Sequence, residues 1–246
     1  MLSKSQISFV NALNQKKYRK EHGLFLAEGL KSITEFLSSD YSVETIFANS
    51  RAFSKLSKYA EKVKLQEITD AELFKISNLT TPQDAVALIK IPAEQTIESE
   101  SFQRNFTLVL DGVQDPGNLG TIIRTMDWFG FSHLVCSNDT VDAYNPKVVQ
   151  ATMGSLSRIK VHYTGIKAFI QNSKLPVYGA LLEGKSVYEY EFRLPGILIL
   201  GNEGKGISAE IKELITDAVT IPRFGSAESL NVAISAAIFC SEIKRK

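Results

Sequence analysis

Short apolar runs separated by amphipathic stretches recur along the whole chain. In the first half, "LFLAEGLKSITEFLSS" passes from an extended start into a helix with Leu30, Ile33, Phe36 and Leu37 on one face. "YSVETIFAN" and "AVALIKI" have the composition of strands, and "FSKLSKYAEKV" that of a polar-faced helix. "PAEQTIESESFQRN" follows, polar and without apolar periodicity, and is the best linker candidate. The expected division is a smaller domain over 1–95, a linker over 96–104 and a second domain over 105–246.

The second half opens with the strand "FTLVLDGV", bounded by the turn "QDPGN". "NLGTIIRTMDWFG" then reads as a helix capped by Asn118 and closed by Gly130, with Trp128 in the core. "FSHLVCS", "RIKVHY", "LPVYGALL", "GILILG" and "AVTIPR" are further short strands with helical stretches between them. Continuous apolar strands alternating with helices predict an α/β fold with a parallel sheet covered on both faces. The last helix, "SLNVAISAAIFCSEIKR", places Leu230, Ala233, Ile234, Ala237 and Ile238 on one face. No internal repeat interrupts this order.

Composition narrows the picture only slightly. A hydrophobic content of 44% and a charged content of 22% over 246 residues are those of an ordinary globular protein. Net charge is +1, so any basic surface must be local. Cys136 and Cys240 lie in apolar surroundings without metal-ligand spacing; they read as reduced core residues, and no metal is expected. "MLSKSQISFVNALNQKKYRK" lacks the apolar core of a signal peptide, and no run reaches the ~20 apolar residues that span a bilayer. The expectation is a soluble, cytoplasmic protein with no membrane partner.

One stretch raises a chemical question. "LILGNEGKGIS" has the look of a phosphate-binding loop after a strand, yet no Ser or Thr follows Lys205 as a Walker loop requires. The glycine order is GxxGxG, not the GxGxxG of a dinucleotide site. Glu203 at its centre disfavours a polyanion and suits a cation or hydroxyl and amine donors. S-adenosylmethionine offers a sulfonium, an ammonium and a ribose, and carries no phosphate. The plainer reading is a tight strand-to-helix turn with a solvated Glu203.

The loop has company. In order, "NLGTIIRTMDWFG", "LILGNEGKGIS" and "IPRFGSAESLNVAISAAI" resemble the three motifs of the SpoU (TrmH) family of RNA ribose 2′-O-methyltransferases, in the SPOUT superfamily. In front of them, "KKYRKEHGLFLAEGLKSITEFL" resembles the start of the family's substrate-binding domain. The resemblance implies a deep trefoil knot, an exception to unknotted topology. It also implies a homodimer, S-adenosylmethionine as cofactor, and RNA as substrate, ribosomal ahead of transfer RNA.

Residue by residue, it implies cofactor binding by Gly201, Ile221 and Leu230, completed by Asn202, Gly204 and Leu181. The catalytic set it implies is Asn118, Arg124, Glu203, Ser229 and Asn231. Two positions depart from the family pattern: Arg223 stands where Met is usual, and Ala233 where a small polar residue is usual. Arg223 either alters the adenine pocket or turns outward to RNA.

Methyl transfer to a ribose hydroxyl needs alignment and proton loss. A guanidinium is a poor base, so Arg124 is expected to clamp phosphate and orient the hydroxyl. Its plainer role would be a surface ion pair with Asp127, three residues on. Glu203 is expected to hold the loop by hydrogen bonds, and Ser229 and Asn231 double as candidate helix caps. For RNA, "KKYRK" supplies Lys16, Lys17, Arg19 and Lys20 around Tyr18, with Lys147 and Arg158 as further charge. The rival function is a non-catalytic RNA-binding or ribosome-assembly factor on the same fold. A nicotinamide or ATP enzyme is disfavoured by the failed phosphate-loop patterns.

Overall fold

The computed structural model describes residues 1–93, 102 and 105–245. The expected linker over 96–104 therefore lies outside the described residues except for Phe102. Contacts group the chain into two units. One is Met1–Ala93 with Asp142–Ser157, and the other comprises the described residues of Glu94–Val141 and Arg158–Lys246.

The first unit is a four-stranded mixed sheet. Its helices α1 (Lys4–Ala12) and α2 (Lys16–His22) precede β1 (Leu24–Glu28), α3 (Leu30–Leu37) and β2 (Val43–Ala48). Then come α4 (Ser50–Leu56), β3 (Lys64–Glu67), α5 (Asp70–Ile76) and β4 (Ala85–Lys90), with strand order β1-β4-β2-β3. α4 starts earlier than its apolar pattern suggests, because Asn49 caps it by accepting from the Ala52 amide. The residues of β1 alternate between two buried faces. Leu24 and Leu26 pack with Val10, Leu13, Leu73 and Ile76, whereas Phe25 meets the rings of Phe36, Tyr41 and Tyr144.

Tyr144 belongs to the segment Asp142–Ser157, which carries α7 (Pro146–Thr152) and returns from the second half of the chain into the first unit. A buried ion pair anchors it. Arg19 is 2% exposed and donates from Nε and Nη2 to Asp142 at 3.1 and 2.6 Å, and from Nη1 to the carbonyls of Leu13 and Asn14.

The second unit is a six-stranded sheet in the order β10-β8-β9-β5-β6-β7, every neighbouring pair parallel. The elements are β5 (Phe106–Asp111), α6 (Pro116–Trp128), β6 (His133–Cys136), β7 (Lys160–Tyr163), α8 (Ile166–Ser173), β8 (Val177–Ser186), β9 (Gly196–Gly201), α9 (Ala209–Lys212), β10 (Asp217–Thr220) and α10 (Val232–Lys244). Val109, Val135, Ile197 and Ile199 pack on one face with Ile166, Ile170, Ile207 and Ile211. Their alternates Leu108, Leu110, Leu198 and Leu200 are equally buried, as expected of strands covered on both sides. α10 packs against α6 and β9.

Two helix starts differ from the sequence reading. α6 begins at Pro116, capped by Asp115, whose carboxylate accepts from the Asn118 amide at 2.8 Å; Pro occupies the first turn, where its missing N–H costs nothing. α10 is capped by Asn231, not Ser229, through bonds to the amides of Ala233 and Ile234. Its buried face is Val232, Ala233, Ala236, Phe239, Cys240 and Ile243, so Leu230 and Ile234 lie about half exposed. Trp128 is also out of the core, at 84% exposure.

Candidate active site

Strand order predicts where a ligand enters. From β5 the chain moves outward to β6 and β7, and from β9, hydrogen-bonded beside β5, it crosses past β8 to β10. The chain thus leaves β5 and β9 toward opposite edges of the sheet, and in open α/β sheets ligands bind outside the carboxyl ends of two such strands. Asp111 and Gly201 are the last paired residues on that edge.

The loop after β9 closes on itself. Asn202 and Gly206 exchange two backbone hydrogen bonds of 3.0 and 2.9 Å. The Asn202 Oδ1 accepts from the amides of Gly204 and Lys205, and its Nδ2 donates to the Gly112 carbonyl at 2.6 Å. The Ser208 amide donates to Asp111 at 2.7 Å. Five amides that a phosphate cradle would present, those of Asn202, Gly204, Lys205, Gly206 and Ser208, are consequently spent inside the protein. The loop therefore has no such amide left to offer a phosphate. Gly201 must be glycine here: a Cβ would lie 2.2 Å from the Gly206 carbonyl carbon. The side chain of Asn202, counted among the cofactor residues in sequence, is committed to building the turn.

Glu203 faces away from that turn toward the start of α6. Its carboxylate accepts from the Gln114 amide at 3.2 Å, the Asp115 amide at 3.1 Å and Asn118 Nδ2 at 3.0 Å. Asn118 Oδ1 in turn accepts from Asn231 Nδ2 at 2.9 Å. The direction of this chain is forced from one end. Asn231 Oδ1 is taken by the α10 cap, so its NH₂ must face Asn118, and the Asn118 NH₂ must face Glu203. Desolvation pushes the Glu203 pKa up, but hydrogen bonds from Asn118 and from the backbone outweigh it and hold the carboxyl below its usual range. An ionised, fully engaged carboxylate joins the loops after β5 and β9 to the start of α10.

The remaining residues take separate places. Arg124 is exposed on α6 and, among the described residues, has no hydrogen-bond or ion-pair partner. Asp127 is bound instead by Arg158, whose Nε and Nη2 reach both carboxylate oxygens at 2.8–3.1 Å. Ser229 is exposed and caps nothing; Ile221 and Leu181 are half-buried. Arg223 is exposed and donates to the Ala227 carbonyl at 3.1 Å.

In the first unit, Lys16, Lys17 and Lys20 are exposed on α2, and Tyr18 stacks on His22 with the Lys17 ammonium 5.8 Å from its ring centre. Arg19 is removed from this RNA set, because its guanidinium is consumed by Asp142 and two carbonyls. Gln114 and Asp115 were missed in sequence, although "QDPGN" carried a signal: Asp before Pro is a helix start.

A parallel α/β domain with its polar network at a strand-order reversal defines a ligand-binding enzyme domain, with a separate mixed-sheet unit in front. The model of the SpoU rRNA Methylase family matches residues 105–241, and the chain belongs to that family. The model of an MRM3-like substrate binding domain matches residues 4–87. The 23S rRNA (guanosine(2553)-2′-O)-methyltransferase of Bacillus subtilis is 31% identical over 236 residues, covering 94% of this chain and 93% of its own. Among the solved structures that align over 100% of the chain, one from Porphyromonas gingivalis assigned to the TrmH family has TM-score 0.89 and 41% identity, with 99% of it covered. Another, the AdoMet-bound rRNA methyltransferase of Sinorhizobium meliloti, has TM-score 0.88 and 28% identity, with 97% covered.

Proposed function

We propose that the protein is an S-adenosylmethionine-dependent RNA methyltransferase that modifies a ribose 2′-hydroxyl, with ribosomal RNA ahead of transfer RNA as substrate. The observation that carries this is the Asn231–Asn118–Glu203 chain at the carboxyl ends of β5 and β9, beside a glycine loop whose amides are already spent. A site of that kind fits a cationic, phosphate-free cofactor. The activity named for the Bacillus subtilis relative and the AdoMet-bound Sinorhizobium meliloti structure support the same reading.

Gly201, Gly204, Ile221, Leu230 and Leu181 are the residues that would hold the cofactor, which supplies an activated methyl group when bound. The chain's own residues do the rest. Arg124, uncommitted and always charged, clamps a substrate phosphate and orients the hydroxyl, as a guanidinium cannot serve as base. Asn118, Glu203 and Asn231 keep the loops in register, while Ser229, free of capping duty, is available to the ribose. Lys16, Lys17, Lys20 and Tyr18 of the first unit contact RNA.

Family membership implies the deep trefoil knot and a homodimer. The exposed Trp128 of α6 and the exposed Ile234 of α10 fit a face covered by a second copy. The reading is of a cytoplasmic enzyme; no helix among the described residues is long and apolar enough to cross a membrane.

The test is incubation with methyl-labelled S-adenosylmethionine and unmodified total RNA, followed by size fractionation and alkaline digestion. Label in alkali-resistant dinucleotides of the ribosomal fraction is expected. Label on mononucleotides would move the chemistry to a base. No label despite cofactor binding would favour an RNA-binding assembly factor.

A further inference from the structure

Between β10 and α10 the chain runs through Arg223–Asn231, and every residue of that run is exposed. Within it Phe224 is 94% exposed, more than Trp128, and presents nearly its whole ring for contact. The segment around it is braced. The Arg223 guanidinium donates to the Ala227 carbonyl at 3.1 Å and closes a short loop about Phe224, Gly225 and Ser226. The ring thus stands in a turn that one side-chain hydrogen bond spans, and a contact that restrains that turn lowers the ordering cost of covering the ring. Seven residues further on, the same segment ends at Asn231, which is bonded to Asn118 and through it to Glu203.

We infer that Phe224 is a stacking platform for a base of the substrate RNA, carried on the segment that leads into Asn231 and positioned by Arg223. The inference rests on the RNA-methyltransferase reading. A nucleobase suits the site better than a phosphate. The loop carries Arg223 but also Glu228, so it offers no net charge, and its largest exposed side chain is a flat apolar ring. Stacking on such a ring is tolerant of sequence and needs no counter-ion release. Arg223, at a position the family usually gives to Met, thus acts on substrate through the loop it closes, as a positioning residue for Phe224.

The test is Phe224→Ala and Phe224→Trp in the full chain. Affinity for in-vitro-transcribed large-subunit ribosomal RNA is measured by filter retention across a salt series, beside methylation kinetics, S-adenosylmethionine affinity and sedimentation. Expected for Phe224→Ala is a loss of RNA affinity of about 5- to 150-fold. The slope of log affinity against log salt stays as in the wild type, as do cofactor affinity and oligomeric state. Phe224→Trp keeps wild-type affinity. Arg223→Ala weakens RNA binding, and the double variant loses no more than Phe224→Ala alone, because both act through one contact.

Unchanged RNA affinity in Phe224→Ala overturns the inference. So does a loss confined to cofactor affinity, which would put the ring on S-adenosylmethionine, or dissociation of the oligomer, which would put it in a subunit interface. Retention is scored without turnover, so a wild type that binds RNA but transfers no methyl refutes the enzyme reading while the platform is still decided.

Discussion

Asn118 and Glu203 lie 85 positions apart in the chain and are joined by a hydrogen bond of 3.0 Å from Nδ2 to Oε1. That bond, with two backbone amides donating to the same carboxylate, fastens the loop after β9 to the first turn of α6. The requirement is for an acceptor at both oxygens, which only an ionised carboxylate meets. Glu203→Gln turns one of those oxygens into a donor facing donors. The expected result is a fall in kcat/KM for RNA of about 10- to 100-fold, with a small fall in thermal midpoint. Glu203→Gln at wild-type rate would show that the bonds of Asn202 and of Ser208 to Asp111 suffice to hold the loop.

Arg124 stands outside this network, exposed and uncommitted on the α6 surface. Arg124→Ala should reduce turnover by about a hundredfold or more and leave cofactor affinity within about twofold. Arg124→Lys should recover little, since a single ammonium cannot present the planar fork. Titration with S-adenosylmethionine beside steady-state kinetics separates the two quantities. An equal loss of both would make Arg124 a builder of the cofactor site.

Lys16, Lys17 and Lys20 project from α2 into solvent. If each neutralises one phosphate of single-stranded RNA, replacing all three by Ala should flatten the plot of log affinity against log salt by about 2. Affinity would fall most at low salt. A slope that does not move would place the RNA elsewhere on the protein.

How much of this was legible in the chain differs by element. The parallel sheet followed from apolar runs such as "GILILG", because strands covered on both faces cannot alternate. The start of α6 was misplaced by three residues because Asn118 and Asp115 are both good caps, and Pro116 in the first turn was the deciding mark. Arg19 could not be told from its neighbours in "KKYRK", since the partner that buries it is 123 residues away. The same distance hid the return of Asp142–Ser157 into the first unit. The polar motif residues were visible, yet their hydrogen-bond directions were not, as these depend on which amide caps α10.

Arg19 also yields a stability prediction. Its side chain is 3% and that of Asp142 15% exposed, and the pair fixes the returning segment to the first unit. Arg19→Ala removes the counter-charge from the largely buried Asp142 carboxylate, which keeps the Tyr144 amide as donor at 3.0 Å, and takes the guanidinium from two carbonyls. Breaking a buried pair typically costs about 3–5 kcal/mol, and the partial exposure of Asp142 puts the expected loss at the lower end of that range. Denaturant unfolding should show that loss, whereas Lys20→Ala on the same helix should stay within about 0.5 kcal/mol of wild type. Arg19→Ala with unaltered stability but weakened RNA binding would return Arg19 to the RNA surface.

His133 and His162 sit side by side on β6 and β7, Nδ1 to Nε2 at 3.2 Å, with the Phe102 ring against both. Burial depresses both pKa values; His162 falls from 6.5 to about 4, with further repulsion from His133 and Lys160. Both rings are therefore neutral when folded at neutral pH, while the unfolded chain takes up protons near 6.5. The stability tied to His162 is complete above pH 6.5 and is lost as pH falls from there to its folded value of about 4, and His133, also depressed by burial, acts in the same direction. Thermal midpoints measured from pH 7.5 to pH 4 should decline across that window for the wild type, and more shallowly for His162→Gln. Parallel declines would mean that the pair takes up its protons as readily folded as unfolded, and that carboxylates alone set the acid limb.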